Sequence, residues 1–234
     1  MPYPVPRLPE RIGDPVNVVS LNVGLPRAQH YGREVVWTAG AKGPVPEAML
    51  RLHGFEGDDQ ADRRNHGGPD KAVCVYPFDH YPYWVRLLGR ALDPASFSEN
   101  LTVSGAVEDE VCIGDVFGVG EAVVQVSQPR TPCGKLAGKN RQRTLVRLIT
   151  QAGFTGFYMR VLSEGLVSNG DGFEPIERHP DRIPVAAVNE IAFGRSEDER
   201  LIERLANLPE FGADGRAIFA ERLERLRRGQ EVAG

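Results

Sequence analysis

Residues 111–128, VCIGDVFGVGEAVVQVSQ, decide how this chain folds. Two apolar runs are separated by turn residues at Gly114-Asp115 and again at 118–121. Each run is too short for a helix and is bounded as strands are. Working outward, similar extended segments recur at 17–23 (NVVSLNV) and 71–76 (KAVCVY). Short strands at ~8 to 12 residue spacing favour a barrel or sandwich over alternating strand and helix units. The 26 glycines and 18 prolines, spread through 234 residues, add many turns and argue against a long-helix bundle. Two helices interrupt the pattern, at 79–88 (DHYPYWVRLL) and 143–152 (RTLVRLITQA).

Beyond Pro184 the periodicity becomes helical. Val185, Val188 and Ile191 with Ala192 lie on one helix face. Ser196 and Glu199 have the spacing of a capping box opening a second helix, with Leu201, Ile202, Leu205 and Leu208 apolar before Pro209. A third is predicted over 214–228, with Ile218, Phe219, Leu223 and Leu226 apolar, Glu221/Arg225 and Glu224/Arg228 as i,i+4 pairs, and Gly229 as its C-cap. The expected organisation is a mainly β domain over 1–184, followed by a three-helix module over 185–228.

The formal net charge of -4 gives no basic field for a nucleic-acid polymer. The proline-punctuated start has no apolar h-region, and no apolar run approaches the ~20 residues of a membrane span. A cytoplasmic protein with no membrane contact is expected. Cys74, Cys112 and Cys133 are odd in number and form no C-x-x-C, so neither a disulfide framework nor a zinc site is suggested, and a cysteine-ligated iron–sulfur cluster built by this chain alone is excluded. There is no Walker loop, HExxH or G-x-S-x-G, and Gly118-Val-Gly120 lacks the third glycine and the following helix of a dinucleotide fingerprint.

Two segments could carry chemistry. Residues 57–71, GDDQADRRNHGGPDK, place His66 and Lys71 on either side of the turn Gly67-Gly68-Pro69-Asp70, although a solvated loop is the default for this composition. Residues 126–136, VSQPRTPCGKL, end a strand in two prolines that bracket Arg130 and Thr131 and leave Cys133 just beyond, with Arg130 and Lys135 as nearby cations. Lowering a thiol pKa from ~8.5 to ~7 takes about 2 kcal/mol of differential stabilisation, within reach of two cations. The inert alternative, a small buried hydrophobe, suits Cys74 and Cys112 better, because they sit inside apolar runs. Lys42, in WTAGAKGPV, and Glu99 and Asn100, in FSENL, are weaker candidates whose defaults are a surface lysine and a structural turn.

Taken together, GFEGDDQADRRNHGGPDKAVCVYP (54–77), FSENLTVSG (97–105), VCIGDVFGVGEAVVQVSQPRTPC (111–133) and the terminal helices resemble the MOSC family, in its YiiM-like branch. Ser98 departs from that pattern, standing where the family usually carries glycine. The resemblance implies a MOSC-type β-barrel holding a molybdenum-pterin cofactor, with Cys133 ligating the metal or carrying a sulfur atom, and with Lys42, His66 and Cys133 clustered at the pocket. Arg130, Lys135, Lys71, Arg63 and Arg64 are then candidate donors to the cofactor's phosphate, and Asn100 joins them as a cofactor-binding residue.

The implied activity is reduction of N-hydroxylated compounds, such as hydroxylaminopurine bases, to amines. His66 would donate a proton and Lys42 stabilise developing negative charge. With no flavin, nicotinamide or iron–sulfur signature here, the electrons would come from a separate reductase. The rival readings are sulfur transfer through a Cys133 persulfide and a non-catalytic cofactor carrier. The helical module is a candidate docking surface for the donor or for a second copy in a homodimer, with packing inside one chain as the plain alternative.

Overall fold

In the computed structural model, which describes residues 16–233, the deciding stretch folds as a hairpin. Residues 116–119 pair antiparallel with 122–125, and the chain reverses at Gly120, whose φ of +54° is costly for a side-chain-bearing residue. The first apolar run, 111–113, forms no strand of its own and leads into the Gly114 turn. Residues 1–15, which include nearly all of the proline-punctuated start, and Gly234 lie outside the described residues.

In chain order the strands are β1 (Asn17–Val23), β2 (Arg27–Tyr31), β3 (Glu34–Thr38), β4 (Gly43–Val45), β5 (Glu47–Arg51) and β6 (Gly54–Phe55). There follow α1 (Arg63–His66), β7 (Val73–Pro77), α2 (Tyr81–Leu88), β8 (Leu101–Ser104), β9 (Val116–Val119) and β10 (Ala122–Pro129). Then come α3 (Gly134–Lys139), α4 (Leu145–Ala152), β11 (Phe157–Ser163), β12 (Gly165–Ser168) and β13 (Phe173–Glu177). The chain ends in α5 (Val185–Ala192), α6 (Glu199–Asn207) and α7 (Ala213–Ala233).

An eight-stranded sheet runs β13-β9-β10-β11-β7-β8-β1-β4, antiparallel except for the parallel β7–β8 pair. A three-stranded sheet, β12-β5-β6, and the hairpin β2-β3 complete it. No continuous ladder closes the large sheet into the expected barrel. Instead single hydrogen bonds between the start of β1 and the 170–173 turn, such as Val18 N–H to Asp171 C=O at 2.9 Å, draw its ends together. Asn169 completes that junction by accepting the Leu21 N–H at 2.6 Å.

Ala122, Val124 and Val126 alternate inward along β10 and meet Phe157, Met159, Val73, Val75 and Leu101 in the main core. Each fully buried side chain of this size is worth ~1.5–3 kcal/mol, so this layer is the chief source of stability. Val185, Val188 and Ile191 of α5, Ile202 and Leu205 of α6, and Phe219 and Leu223 of α7 belong to the same cluster. The terminal helices therefore pack onto the sheet and share its core. Ile218, read as apolar-facing, is exposed.

Two helix boundaries differ from expectation. The N-cap of α6 is Asp198, which accepts the Leu201 N–H, so the Ser196/Glu199 box does not form; a carboxylate two residues nearer the helix takes its place. Helix α7 continues through Gly229 rather than ending there. A second core, with Tyr76, Trp84, Phe97, Leu136, Leu145 and Ile149, lies beneath α2, α3 and α4. Tyr76 stacks on Phe97 at 4.2 Å between centroids and accepts a hydrogen bond from Trp84 Nε1 at 2.6 Å. That aromatic block fixes both the 95–98 loop and α3, the two segments that frame the candidate site.

Candidate functional site

Cys133 stands where β10 gives way to α3, in the N-cap position, with extended backbone angles set by the preceding proline-bracketed loop. His66 is the last residue of α1, a single turn capped by Asp62, whose carboxylate accepts the Asn65 N–H. The chain must turn sharply after it. A side chain at Gly67 would sit 2.7 Å from the Arg63 carbonyl oxygen, and Gly68 has φ +96°. Asp70 then anchors the turn by accepting from Arg160 Nε at 2.9 Å and from the Ala213 N–H at the start of α7 at 2.8 Å. The helical tail thus buttresses the loop that presents His66.

These loops border a cleft enclosing about 660 Å³ of empty space, part of it open to solvent. Cys133, His66, Lys42, Arg130, Lys135 and Asn100 all line it. The other three cations expected to hold phosphate do not. Lys71 is 2.7 Å from Asp214 of α7, Arg63 is committed to Asp59 with its own side chain 77% exposed, and Arg64 faces solvent.

Burial works against ionisation of the Cys133 thiol but is outweighed. A hydrogen bond from His66, the Arg130 charge and the Lys135 backbone N–H together bring its pKa down to about 7. Of the two cations expected beside the thiol, Arg130 acts through its charge and Lys135 through its main chain, while the imidazole supplies the larger interaction. An alkylation profile checks this. Cys133 should react with iodoacetamide with a midpoint near pH 7, and in His66→Ala the midpoint should rise by about one unit, because a contact favouring the thiolate is lost. An unmoved midpoint would show that the imidazole does not tune the sulfur.

Arg130 is buried beneath the thiol. Its Nη2 donates to the Phe97 carbonyl at 2.5 Å, while Nη1 has no hydrogen bond of ordinary geometry although the Tyr158 hydroxyl lies near. Burial opposes its charge, and the surrounding Cys74, Tyr158, Cys133 and Glu99 hold it protonated. Lys42 reaches the wall from the β3–β4 connection, but its ammonium is paired with Asp58, both side chains being nearly inaccessible at 3% and 4%. Asp58 also accepts from Gly24 N–H at 2.8 Å and Asn100 Nδ2 at 2.9 Å. Lys42 therefore enters as half of a neutral pair. Asn100 orients Asp58 and takes the Cys74 N–H at 3.1 Å.

Four participants carry no signal in the sequence: Asp58, Tyr31, Tyr158 and Lys139. Lys139, on α3, ties the cleft together by donating to the carbonyls of Gly40 and Ala95 and to Ser98 Oγ. Burial lowers its pKa to about 8, opposed by Glu99 and reinforced by Arg130 and Lys42. Ser98, in the place of the usual glycine, adopts φ +63° and donates its hydroxyl to Gly40 at 2.8 Å, so a hydrogen bond offsets backbone strain that glycine would avoid.

A curled, mostly antiparallel sheet carrying a cation-backed thiolate beside an imidazole is matched by the MOSC domain model over residues 62–174, and the YiiM-like, 3-alpha helix domain model matches 183–226. The chain belongs to the MOSC-domain family, in its YiiM-like branch. It is 48% identical over 211 residues to the uncharacterised protein YflK of Bacillus subtilis, covering 90% of this chain and 96% of that one. The crystal structure of YiiM from Geobacillus stearothermophilus superposes with a TM-score of 0.77 at 35% identity, covering 89% of this chain and all of that one. A protein of Gibberella moniliformis named Reductase is 32% identical over 176 residues, 71% of this chain but 30% of its own length. The MOSC domain is a molybdenum-cofactor-related domain. Among the described residues no helix is long and apolar enough to cross a membrane.

Proposed function

We propose that this protein binds a molybdenum-pterin cofactor in the Cys133 cleft and reduces N-hydroxylated compounds, hydroxylaminopurine bases among them, to amines, taking electrons from a separate reductase. The observation that carries the reading is the Cys133 thiol with its pKa lowered to about 7, set over a buried guanidinium whose Nη1 lacks a partner. A soft thiolate suits a thiophilic metal, and an unsatisfied buried donor suits an anionic group such as a phosphate. Among the described residues no three His, Cys, Asp or Glu side chains converge as a chelate, so a metal taking Cys133 as ligand would need its remaining ligands from the cofactor itself. The residues present therefore fit the group.

Cys133 would hold the metal, while Arg130 and Lys135 would meet the phosphate. When bound, such a cofactor supplies a two-electron centre for oxygen-atom transfer. The overall conversion, R–NHOH plus two electrons and two protons to R–NH2 and water, needs a proton source beside the substrate. His66, half-buried on the cleft wall, can take protons from solvent and deliver them there, and its bond to the sulfur keeps the ring aimed inward. Lys42, neutralised by Asp58, contributes a fixed dipole and a shaped wall rather than a free charge. The reductase-named relative is in keeping with redox chemistry of this kind. Protein from a cofactor-producing host, given a chemical electron donor, should convert a hydroxylaminopurine to the aminopurine. Molybdenum-loaded protein that reduces no N-hydroxylated base would overturn the assignment.

A further inference from the structure

A second cavity, sharing no lining residue with the Cys133 cleft, opens between the end of α4, α5 and the 107–110 turn and encloses about 670 Å³ of empty space, part of it solvent. His80 is in its wall, with only 1% of its surface accessible. One face of the imidazole is stacked on Phe154, with centroids 3.8 Å apart and planes within 7°. Its Nε2 lies 2.6 Å from Glu108, whose other oxygen accepts the Gly156 N–H at 2.7 Å. A carboxylate only accepts, so in the neutral imidazole Nε2 carries the hydrogen and Nδ1 presents a lone pair. That Nδ1 is buried with no partner. Buried polar atoms are nearly always paired, and this one calls for an N–H or O–H donor.

The surroundings decide which donor. Glu108, Asp109 and Glu190 contribute three carboxylates against the single guanidinium of Arg195. The last residues of α4, Gln151 and Ala152, add the negative end of a helix dipole. The chain's own cation already exploits this field, since Arg195 donates to the Thr150 carbonyl at 2.7 Å and pairs with Glu190 at the mouth. Apolar walls from Phe154, Val107 and Ala186 suit a carbon skeleton. The carboxylates and the C-terminal end of α4 disfavour an anion.

We propose that this cavity is a binding site for a small organic ammonium ion, with an N–H donating to His80 Nδ1, its charge balanced by Asp109 and Glu190, and its carbon skeleton against Phe154. The site is independent of the chemistry at Cys133. The probe is benzylamine, an ammonium ion at pH 7, compared with benzyl alcohol on the full chain labelled with 15N-histidine. Benzylamine should shift the His80 ring nitrogens saturably and bind at least tenfold more tightly than the alcohol, and Asp109→Asn, at an exposed position that leaves the fold intact, should weaken it at least threefold. His80→Gln identifies the shifted signal. The proposal is overturned by the absence of a saturable His80 shift, by equal affinity for the alcohol, or by an unchanged affinity in Asp109→Asn.

Discussion

Cys133→Ala is expected to lose molybdenum and turnover together, with reduction of a hydroxylaminopurine falling at least ~100-fold, the scale on which removal of a group acting directly at a reaction centre is felt. The fold should be unaffected, because the loop is held by Pro132, by the Arg130 N–H to Gly156 at 3.0 Å and by Leu136 in the second core. His66→Ala is the informative companion. It should keep the metal and lose rate, because the imidazole tunes the sulfur and moves the proton without being a ligand. Metal analysis beside the rate measurement separates the two. Molybdenum retained by Cys133→Ala would remove the ligand role, and molybdenum bound by the unmodified chain without turnover would favour the carrier reading.

What the sequence reveals about this site follows the range of the interactions involved. His66 and Cys133 stand out because their peculiarities are local: a glycine pair forces a turn at one, and two prolines stiffen the loop before the other. The strands of 111–128 and the helix face of Val185, Val188 and Ile191 are legible for the same reason, since periodicity is a short-range property. The Lys42–Asp58 pair is not legible. Asp58 is one of four carboxylates in a polar run, and nothing in that run marks which of them is drawn inward by Gly24, Lys42 and Asn100 from three separate segments. Lys139 looks like an ordinary surface lysine near a helix end, and becomes a strut only because the Gly40 and Ala95 carbonyls arrive from elsewhere. The pairing of Lys71 with Asp214 of α7, 143 positions away, is hidden from the sequence for the same reason. The open edge of the large sheet is likewise decided by the 170–173 turn meeting β1, beyond the reach of any local pattern.

Glu99→Leu is expected to lower stability by about 4 kcal/mol, read as a fall in the denaturant midpoint at unchanged slope, because it strips a buried polar knot of its acceptor. Glu99 is inaccessible to solvent and receives four hydrogen bonds, from the Ala95 N–H at 2.9 Å, the Phe97 N–H at 3.0 Å, Thr102 Oγ1 at 2.8 Å and the Tyr81 hydroxyl. Leucine matches it roughly in size and leaves the Ala95 and Phe97 N–H groups unanswered, with the Tyr81 and Thr102 hydroxyls left to pair with each other. Ala95 and Ser98 both hold left-handed backbone angles, with φ of +66° and +63°, and the bonds to Glu99 help to hold the loop in that strained shape. The consequence reaches the chemistry through one carbonyl. Phe97, whose N–H Glu99 holds, offers its C=O to Arg130 Nη2, and Arg130 is one of the charges that keep Cys133 ionised. In Glu99→Gln, where the shape is retained and one acceptor becomes a donor, the loop should remain folded but shift. The Cys133 alkylation midpoint should then move up from about 7 even though nothing touching the sulfur has changed. A stability loss under about 1 kcal/mol in Glu99→Leu would mean that the knot finds other acceptors. An unmoved midpoint in Glu99→Gln would mean that Arg130 is fixed from the β10 side alone.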